Sequence, residues 1–354
     1  MSEKRYLILA EGRSADPHYG KTMRGIVRFR RSEVVAIVDS ERAGARYEDV
    51  PIVGSVAEAA PYAPTTALVG VAVAGGRLGP EWRTLLVDSV QAGLDVEAGM
   101  HEFLADDAEL SELARERGVE LHDVRRPPPD LSVPTGENLT HDARVVLTVG
   151  SDCAIGKKTM ALELHIEAER RGEASVFVPT GQTGIMIAGW GIAVDAVVAD
   201  FLAGASERLV VEGARRGDLL WVEGQGSLIH PQFSGVTLGL MHGSAPHALV
   251  LCHLAGATEI EGCPGHPLLP LTELVELHER LSLPARPARV AALALNTSLL
   301  ESDDQARQAI EAAEEETGLL GDDPVRFGAG RLVDAVLAHL GERATLVPPG
   351  INAK

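Results

Sequence analysis

The run Val145-Val146-Leu147-Thr148-Val149 leads straight into Gly150-Ser151-Asp152-Cys153-Ala154-Ile155-Gly156-Lys157-Lys158-Thr159, and a helical pattern follows over 159–171 until Gly172 ends it. Strand, glycine-bounded loop, Gly-Lys, helix is the order of a phosphate-binding loop. Gly150 and Gly156 permit backbone angles that turn amide N–H groups inward. The helix start adds a partial positive charge, and Lys157 can reach a terminal phosphate. The spacing departs from the common form: five residues separate the glycines instead of four. Lys158 stands where Ser or Thr normally holds Mg²⁺, and Thr159 is the substitute. The phosphate-contacting set is therefore Gly150, Ser151, Cys153, Ala154, Gly156, Lys157, Lys158 and Thr159. An ordinary glycine-rich βα turn is the plain alternative.

The chain on either side alternates short apolar runs with helical periods. Strands are expected at 6–10, 34–39, 67–73, 94–97 and 119–124, with helices at 22–29, 82–92 and 107–117. Arg125-Arg126-Pro127-Pro128-Pro129 breaks this pattern, and the polar stretch to His141 marks a boundary. The pattern restarts with strands at 144–149, 175–179, 219–223, 248–253 and 290–296 and helices at 159–171, 271–281, 303–317 and 331–340. Strands separated by helices mean mostly parallel sheets with helices on both faces. The expected organisation is α/β in two domains: a Rossmann-like domain over 1–128, a linker over 129–141, and a P-loop NTPase-like domain over 142–354.

Further motifs belong beside the phosphate loop. Leu219-Leu220-Trp221-Val222-Glu223 is an apolar strand ending in a carboxylate, which places Glu223 on Mg²⁺ directly or through water. Gly224, Gln225 and Gly226 then leave room for a ligand. Pro179-Thr180-Gly181-Gln182-Thr183-Gly184 offers hydroxyls and an amide at the C-terminal edge of the sheet, where such folds bind substrates. Asn296-Thr297 ends a late strand and is placed to touch a nucleotide base or ribose. His230, just past the Glu223 strand, could be a general base or a solvent-facing loop histidine. Asp152 could orient an amine or a cation. Near the N-terminus Gly-x-Gly-x-x-Gly is absent, which makes NAD a poor fit.

Lysine occurs five times against 27 arginines. Apart from two at the termini, the lysines are Lys21, Lys157 and Lys158, all beside glycine and threonine motifs. A compact point charge on a flexible stem serves there where a planar fork would not, and Lys21 joins the substrate-binding candidates. The net charge of −19 would repel a polyanion, and 4% aromatic content disfavours a stacking platform, so no nucleic-acid partner is expected. Cys153, Cys252 and Cys263 are too scattered for a disulfide framework. The N-terminus reads as a first strand, not a signal peptide, and no apolar run suits a membrane span. A cytoplasmic protein is expected, as a homo-oligomer acting on a small molecule.

The combination of GSDCAIGKKT, PTGQTG and WVEGQGSLIHP resembles the D-glutamate N-acetyltransferase-like family. The early LILAEG and GKTMRGIVRF segments, Gly99-Met100-His101 and Asp123-Val124-Arg125-Arg126-Pro127 share that likeness. The second domain is also similar to dethiobiotin synthetase, with the same wide glycine spacing and a VEG strand. The resemblance implies acetyl transfer from acetyl-CoA to the amine of D-glutamate or a similar amino acid, with CoA phosphates on the loop. It puts Lys157 and Thr159 at phosphate and Glu223 at metal. Lys157 or Lys158 could then aim at the developing oxyanion, with Asp152 or His230 as base. The dethiobiotin synthetase likeness allows an ATP- and Mg²⁺-dependent ligase or kinase instead. A nucleotide-binding regulator is the third reading.

Overall fold

The computed structural model describes residues 4–16, 19–71 and 79–346. They form two compact units. The first comprises residues 1–127 and 182–196, the second 128–181 and 197–354. Residues 129–141 thus cluster with the second unit. A stretch from within the second domain's expected span, 182–196, clusters with the first.

In the first unit β1 (Tyr6–Leu9) feeds α1 (Lys21–Phe29). β2 (Val34–Val38), β3 (Arg46–Tyr47), β4 (Val50–Val53), β5 (Thr66–Val69), α2 (Pro80–Gln91), β6 (Asp95–Ala98), α3 (Ala108–Arg117) and β7 (Leu121–Asp123) follow. The sheet runs β3-β4-β2-β1-β5-β6-β7. All its pairings are parallel except β3 with β4. Central β1 is buried at every position, as expected of an uninterrupted apolar run covered on both faces. Asp107 caps α3 by accepting from the Leu110 N–H at 2.9 Å, and Gly118 closes that helix in the left-handed region. Helix Gln182–Ala188 contributes Met186 to this unit's core. The expected third strand ends earlier than foreseen, at Val69, and its foreseen end at 72–73 lies outside the described residues.

Asp39, at the end of β2, sits where a dinucleotide fold keeps its ribose-binding acid. Its carboxylate is engaged by the N–H groups of Gly12 and Ser14 at 3.2 and 3.1 Å. That carboxylate holds the loop that follows β1.

The second unit runs β8 (Arg144–Gly150), α4 (Lys157–Arg170) and β9 (Ser175–Val178). After the excursion through Gln182–Ala188 (α5) come α6 (Ala199–Ala214), β10 (Leu219–Val222), α7 (Ser234–Ser244), β11 (Ala248–Leu254) and α8 (Leu271–Arg280). β12 (Arg289–Asn296), α9 (Asp303–Thr317), β13 (Gly321–Asp322) and α10 (Gly330–Leu346) complete it. Its sheet order is β13-β12-β11-β8-β10-β9, parallel throughout. All the C-terminal strand ends therefore emerge on one edge, with β8 between β10 and β11. Residues 129–141 pack onto this unit. Glu207 of α6 accepts from the Thr135 N–H, the Thr135 hydroxyl and the Gly136 N–H at 2.6, 2.9 and 2.7 Å. Among the described residues no helix is long and apolar enough to cross a membrane.

Candidate phosphate-binding site

The strand that carries the loop is tied to its neighbour by a residue the motif reading passed over. Thr148 donates its hydroxyl to the Val222 carbonyl at 3.3 Å and accepts from the Gly224 N–H at 2.9 Å. The two backbones come so close that a Cβ on Gly224 would lie 1.7 Å from the Thr148 carbonyl oxygen. Only glycine fits there. The Glu223 strand end is thus fixed against the strand that delivers the phosphate loop.

The loop itself turns through Ala154 at φ 54° and Gly156 at φ 109°. A positive φ is strained for alanine and free for glycine. Gly156 is the N-cap of α4, and no side chain caps the helix start. Lys157 opens the helix and is 6% exposed. Its Nζ donates to the Asp152 carbonyl at 2.5 Å, folding the ammonium back across the loop. Burial pushes its pKa below the usual 10.5, while Cys153, Cys252, Asp152 and Glu223 oppose that shift electrostatically. Burial also pushes the Cys252 thiol up to about 12. Lys158 and Thr159 lie half-buried in the first helical turn.

Asp152 acts as a strut. Its Oδ1 accepts from the Cys153 N–H at 2.6 Å and its Oδ2 from the Glu261 N–H at 2.7 Å. His230 is 2% exposed, so the solvent-facing alternative does not hold. Its Nδ1 accepts from the Gln232 N–H at 3.2 Å, which assigns the proton of the neutral ring to Nε2, 4.0 Å from Asp152 Oδ1. Asp152, Cys153 and His230 bring ligand atoms within 4.8 Å of one another. Thiolate and imidazole are poor partners for Mg²⁺, and an Nε2 that carries a proton cannot ligate.

Glu223 is buried, and its Oε2 accepts from the Thr180 and Gly181 N–H groups at 3.0 and 3.1 Å. The Thr180 hydroxyl donates to the Glu223 carbonyl at 2.8 Å, and Gln225 Nε2 donates to the Thr180 carbonyl. Thr180, Gly181, Glu223, Gly224 and Gln225 therefore form one connected wall. Gly226 continues it at φ 68°. For Mg²⁺, one carboxylate and the Thr159 hydroxyl match the sparse protein ligation that ion takes beside phosphates.

Asn296 is near the loop but differently engaged than expected. Its Nδ2 donates to the Ile155 carbonyl at 3.0 Å and its Oδ1 accepts from the Ser298 N–H at 3.0 Å. It holds the phosphate loop from β12. Thr297 donates both N–H and hydroxyl to Asp323 Oδ2, at 2.9 and 2.6 Å. Ser151 is buried and its hydroxyl lies 3.0 Å from His253 Nδ1 on β11. Thr148, His253, Glu261 and Asp323 escaped the sequence reading. A threonine within the apolar 145–149 run was the one local sign.

Gln182, Thr183, Gly184 and Lys21 fall in the first unit. Gln182 to Gly184 begin α5 instead of extending a loop. Gln182 Oε1 accepts from Arg125, and the Thr183 hydroxyl pairs with that of Thr22 at 2.9 Å. Lys21 is exposed at the first position of α1.

Residues 132–333 match the model of the DUF1611 P-loop domain, a domain of unknown function, and residues 39–127 match its Rossmann-like N-terminal companion. A D-glutamate N-acetyltransferase of Tritonibacter scottomollicae is 36% identical over 341 residues, which cover 96% of this chain and all of that protein. Another, from a Pseudoalteromonas species, is 34% identical over 81% of this chain and 84% of its own. The crystal structure of a DUF1611 family protein from Anabaena variabilis superposes with a TM-score of 0.89 at 40% identity, covering 95% of this chain and 99% of that one.

Proposed function

Because this chain belongs to the DUF1611 family, a Rossmann-like domain joined to a P-loop domain, we propose that it is an amino-acid N-acetyltransferase that moves acetyl from acetyl-CoA to the amine of an acidic amino acid such as D-glutamate. Two relatives named for that activity, matched along most or all of their length, support the acceptor class. The structural observation that carries the reading is Lys157, a buried ammonium at an uncapped helix start directly after the left-handed residues Ala154 and Gly156. A buried cation lacking a carboxylate hydrogen-bonded to it suits an incoming phosphate.

Acetyl-CoA supplies an activated thioester at the far end of pantetheine from its phosphates, so a loop that holds those phosphates is not where the amine is acylated. Lys157 and the first turn of α4, with Lys158 and Thr159, bind phosphate. Asp152 and His230 brace the loop, since both carboxylate oxygens and the basic ring nitrogen already accept amide protons. Asn296 holds the loop from behind.

A second reading, an ATP- and Mg²⁺-dependent ligase or kinase, is favoured by one feature: the buried Glu223 carboxylate on the strand beside the loop. Purified protein given D-glutamate with either acetyl-CoA or Mg·ATP separates the two. Thiol release without ADP, persisting in EDTA, is expected. ADP formation that requires the acceptor would replace the first reading with the second, and turnover in neither mixture would remove both.

A further inference from the structure

Arg125 follows β7 in the first unit, and its side chain is 4% exposed. Nη1 donates to Gln182 Oε1 at 2.5 Å and to Asp195 Oδ2 at 3.0 Å. Nη2 lies 3.4 Å from His101 Nδ1. Nε is buried and has no hydrogen-bond partner. A guanidinium has five N–H donors in a rigid plane. Its Nε–H and one Nη2–H point the same way, and that edge receives a carboxylate in two parallel hydrogen bonds. In Arg125 the Nη1 end is occupied, while the carboxylate-binding edge has only a long contact to an exposed imidazole. Buried polar groups are nearly always satisfied, so such a donor calls for a missing partner.

The surroundings define the partner's size and character. His101 also lines a cavity of about 820 Å³, whose walls set apolar Leu86, Met100 and Phe103 beside charged Arg83, Glu102 and Asp106. Residues 100–104 follow β6 and Arg125 follows β7, so both stand at the C-terminal edge of the parallel sheet, where open α/β folds take ligands.

We propose that the first unit binds the acceptor amino acid, with a carboxylate on Nε–H and Nη2–H of Arg125 and the remainder in the cavity lined by His101. The carboxylate reaches that edge by displacing His101, whose 3.4 Å contact is long for a hydrogen bond. Asp195 offsets the guanidinium charge, leaving the edge to select by its geometry. This assignment rests on the acyl-transfer reading for its choice of acceptor.

Calorimetry on the full chain tests it, with D-glutamate and glutarate as probes and acetyl-transfer kinetics alongside. Arg125→Lys keeps the charge but loses the fork. It should weaken D-glutamate and glutarate binding at least tenfold and raise the acceptor KM equally, while the KM for acetyl-CoA changes less than twofold. Asp195→Asn leaves the guanidinium in place and removes its counter-charge. It should tighten both probes several-fold, and it serves if the lysine variant fails to fold. Unchanged probe affinity in Arg125→Lys, or no tightening in Asp195→Asn, overturns the proposal. Acetyl transfer with an unaltered acceptor KM in Arg125→Lys would discard this site and leave the transferase reading intact. Arg125-dependent binding of both probes in a protein that acetylates no amine would discard the reading and retain the site.

Discussion

The Lys157 ammonium donates to the carbonyl oxygen of Asp152, five residues earlier in the same loop. The lysine thus closes the loop on itself, and on the proposed reading the remaining donors of its ammonium serve an incoming phosphate. Burial makes this ammonium costly, as its lowered pKa records. Lys157→Met keeps the apolar stem and removes the charge. The variant should melt higher than the parent, by about 2–4 °C for a gain near 1 kcal/mol. It should also bind the phosphorylated cosubstrate more weakly, since a hydrogen bond to a charged group is worth about 1.5–3 kcal/mol, roughly 10- to 100-fold in affinity. Differential scanning fluorimetry and calorimetry read the two effects. A lower melting point, or undiminished affinity, would contradict the role.

The same depressed pKa gives a pH signature. The folded protein releases the Lys157 proton below the usual 10.5 because burial disfavours the charged form. A bound phosphate favours the ammonium and draws the proton back. Affinity should therefore decline as pH rises through the depressed value, before an exposed lysine would titrate. Binding in that range should take up protons. Calorimetry in two buffers of different ionisation enthalpy detects the uptake, and its absence in Lys157→Met would assign it to this group.

Cys153 lies beside the Lys157 ammonium and is half-buried, while Cys252 and Cys263 are buried. Of the three thiols, Cys153 is the accessible one, and access is what an alkylating agent needs. One thiol per chain should react rapidly with N-ethylmaleimide, and a phosphorylated cosubstrate should protect it. Mass spectrometry of the digested protein locates the label. Fast labelling that persists in Cys153→Ser would place the reactive thiol elsewhere.

The parallel sheets and the phosphate loop were legible because their signals are local. Val145 to Lys157 carries strand, turn and helix start within one run, and Asp303–Thr317 has its boundaries written in Ser302 and Gly318. Helices α6 and α7 were not foreseen. Glycine lowers helix propensity, and α7 has three of them within Ser234–Ser244. Two of them, Gly239 and Gly243, are there because the helices press together: a Cβ on Gly239 would lie 2.1 Å from Leu202 Cδ2, and one on Gly243 2.1 Å from the Ala203 carbonyl oxygen. Tertiary packing outweighed propensity, and a single chain segment does not display its neighbour. The same limit hid the site's second layer. Thr148, Asp152 and His230 take their roles from residues such as Val222, Glu261 and Gln232, contacts of which only folding reveals the geometry. The 182–196 stretch follows a strand of one sheet yet buries Met186 in the core of the other unit, which no local pattern encodes.

Glu207 fastens the polar segment 129–141, whose composition is that of a linker, to α6. Burial alone would raise its pKa, but the N–H and hydroxyl of Thr135 and the N–H of Gly136 outweigh it and hold the group below 4.5. A carboxylate with a lowered folded-state pKa contributes stability in full above its unfolded value, and that contribution is lost as pH falls through the folded value. Glu207→Gln keeps an acceptor oxygen but loses the charge and adds an N–H where donors already converge. The segment 129–141 should loosen, at a cost of about 1–3 kcal/mol at neutral pH. Hydrogen exchange there should quicken in the variant, while the β8 to β11 pairing stays protected. The difference between parent and variant should shrink as pH drops below 4.5. A gap that persists in acid would mean that shape, not charge, fastens this segment to α6.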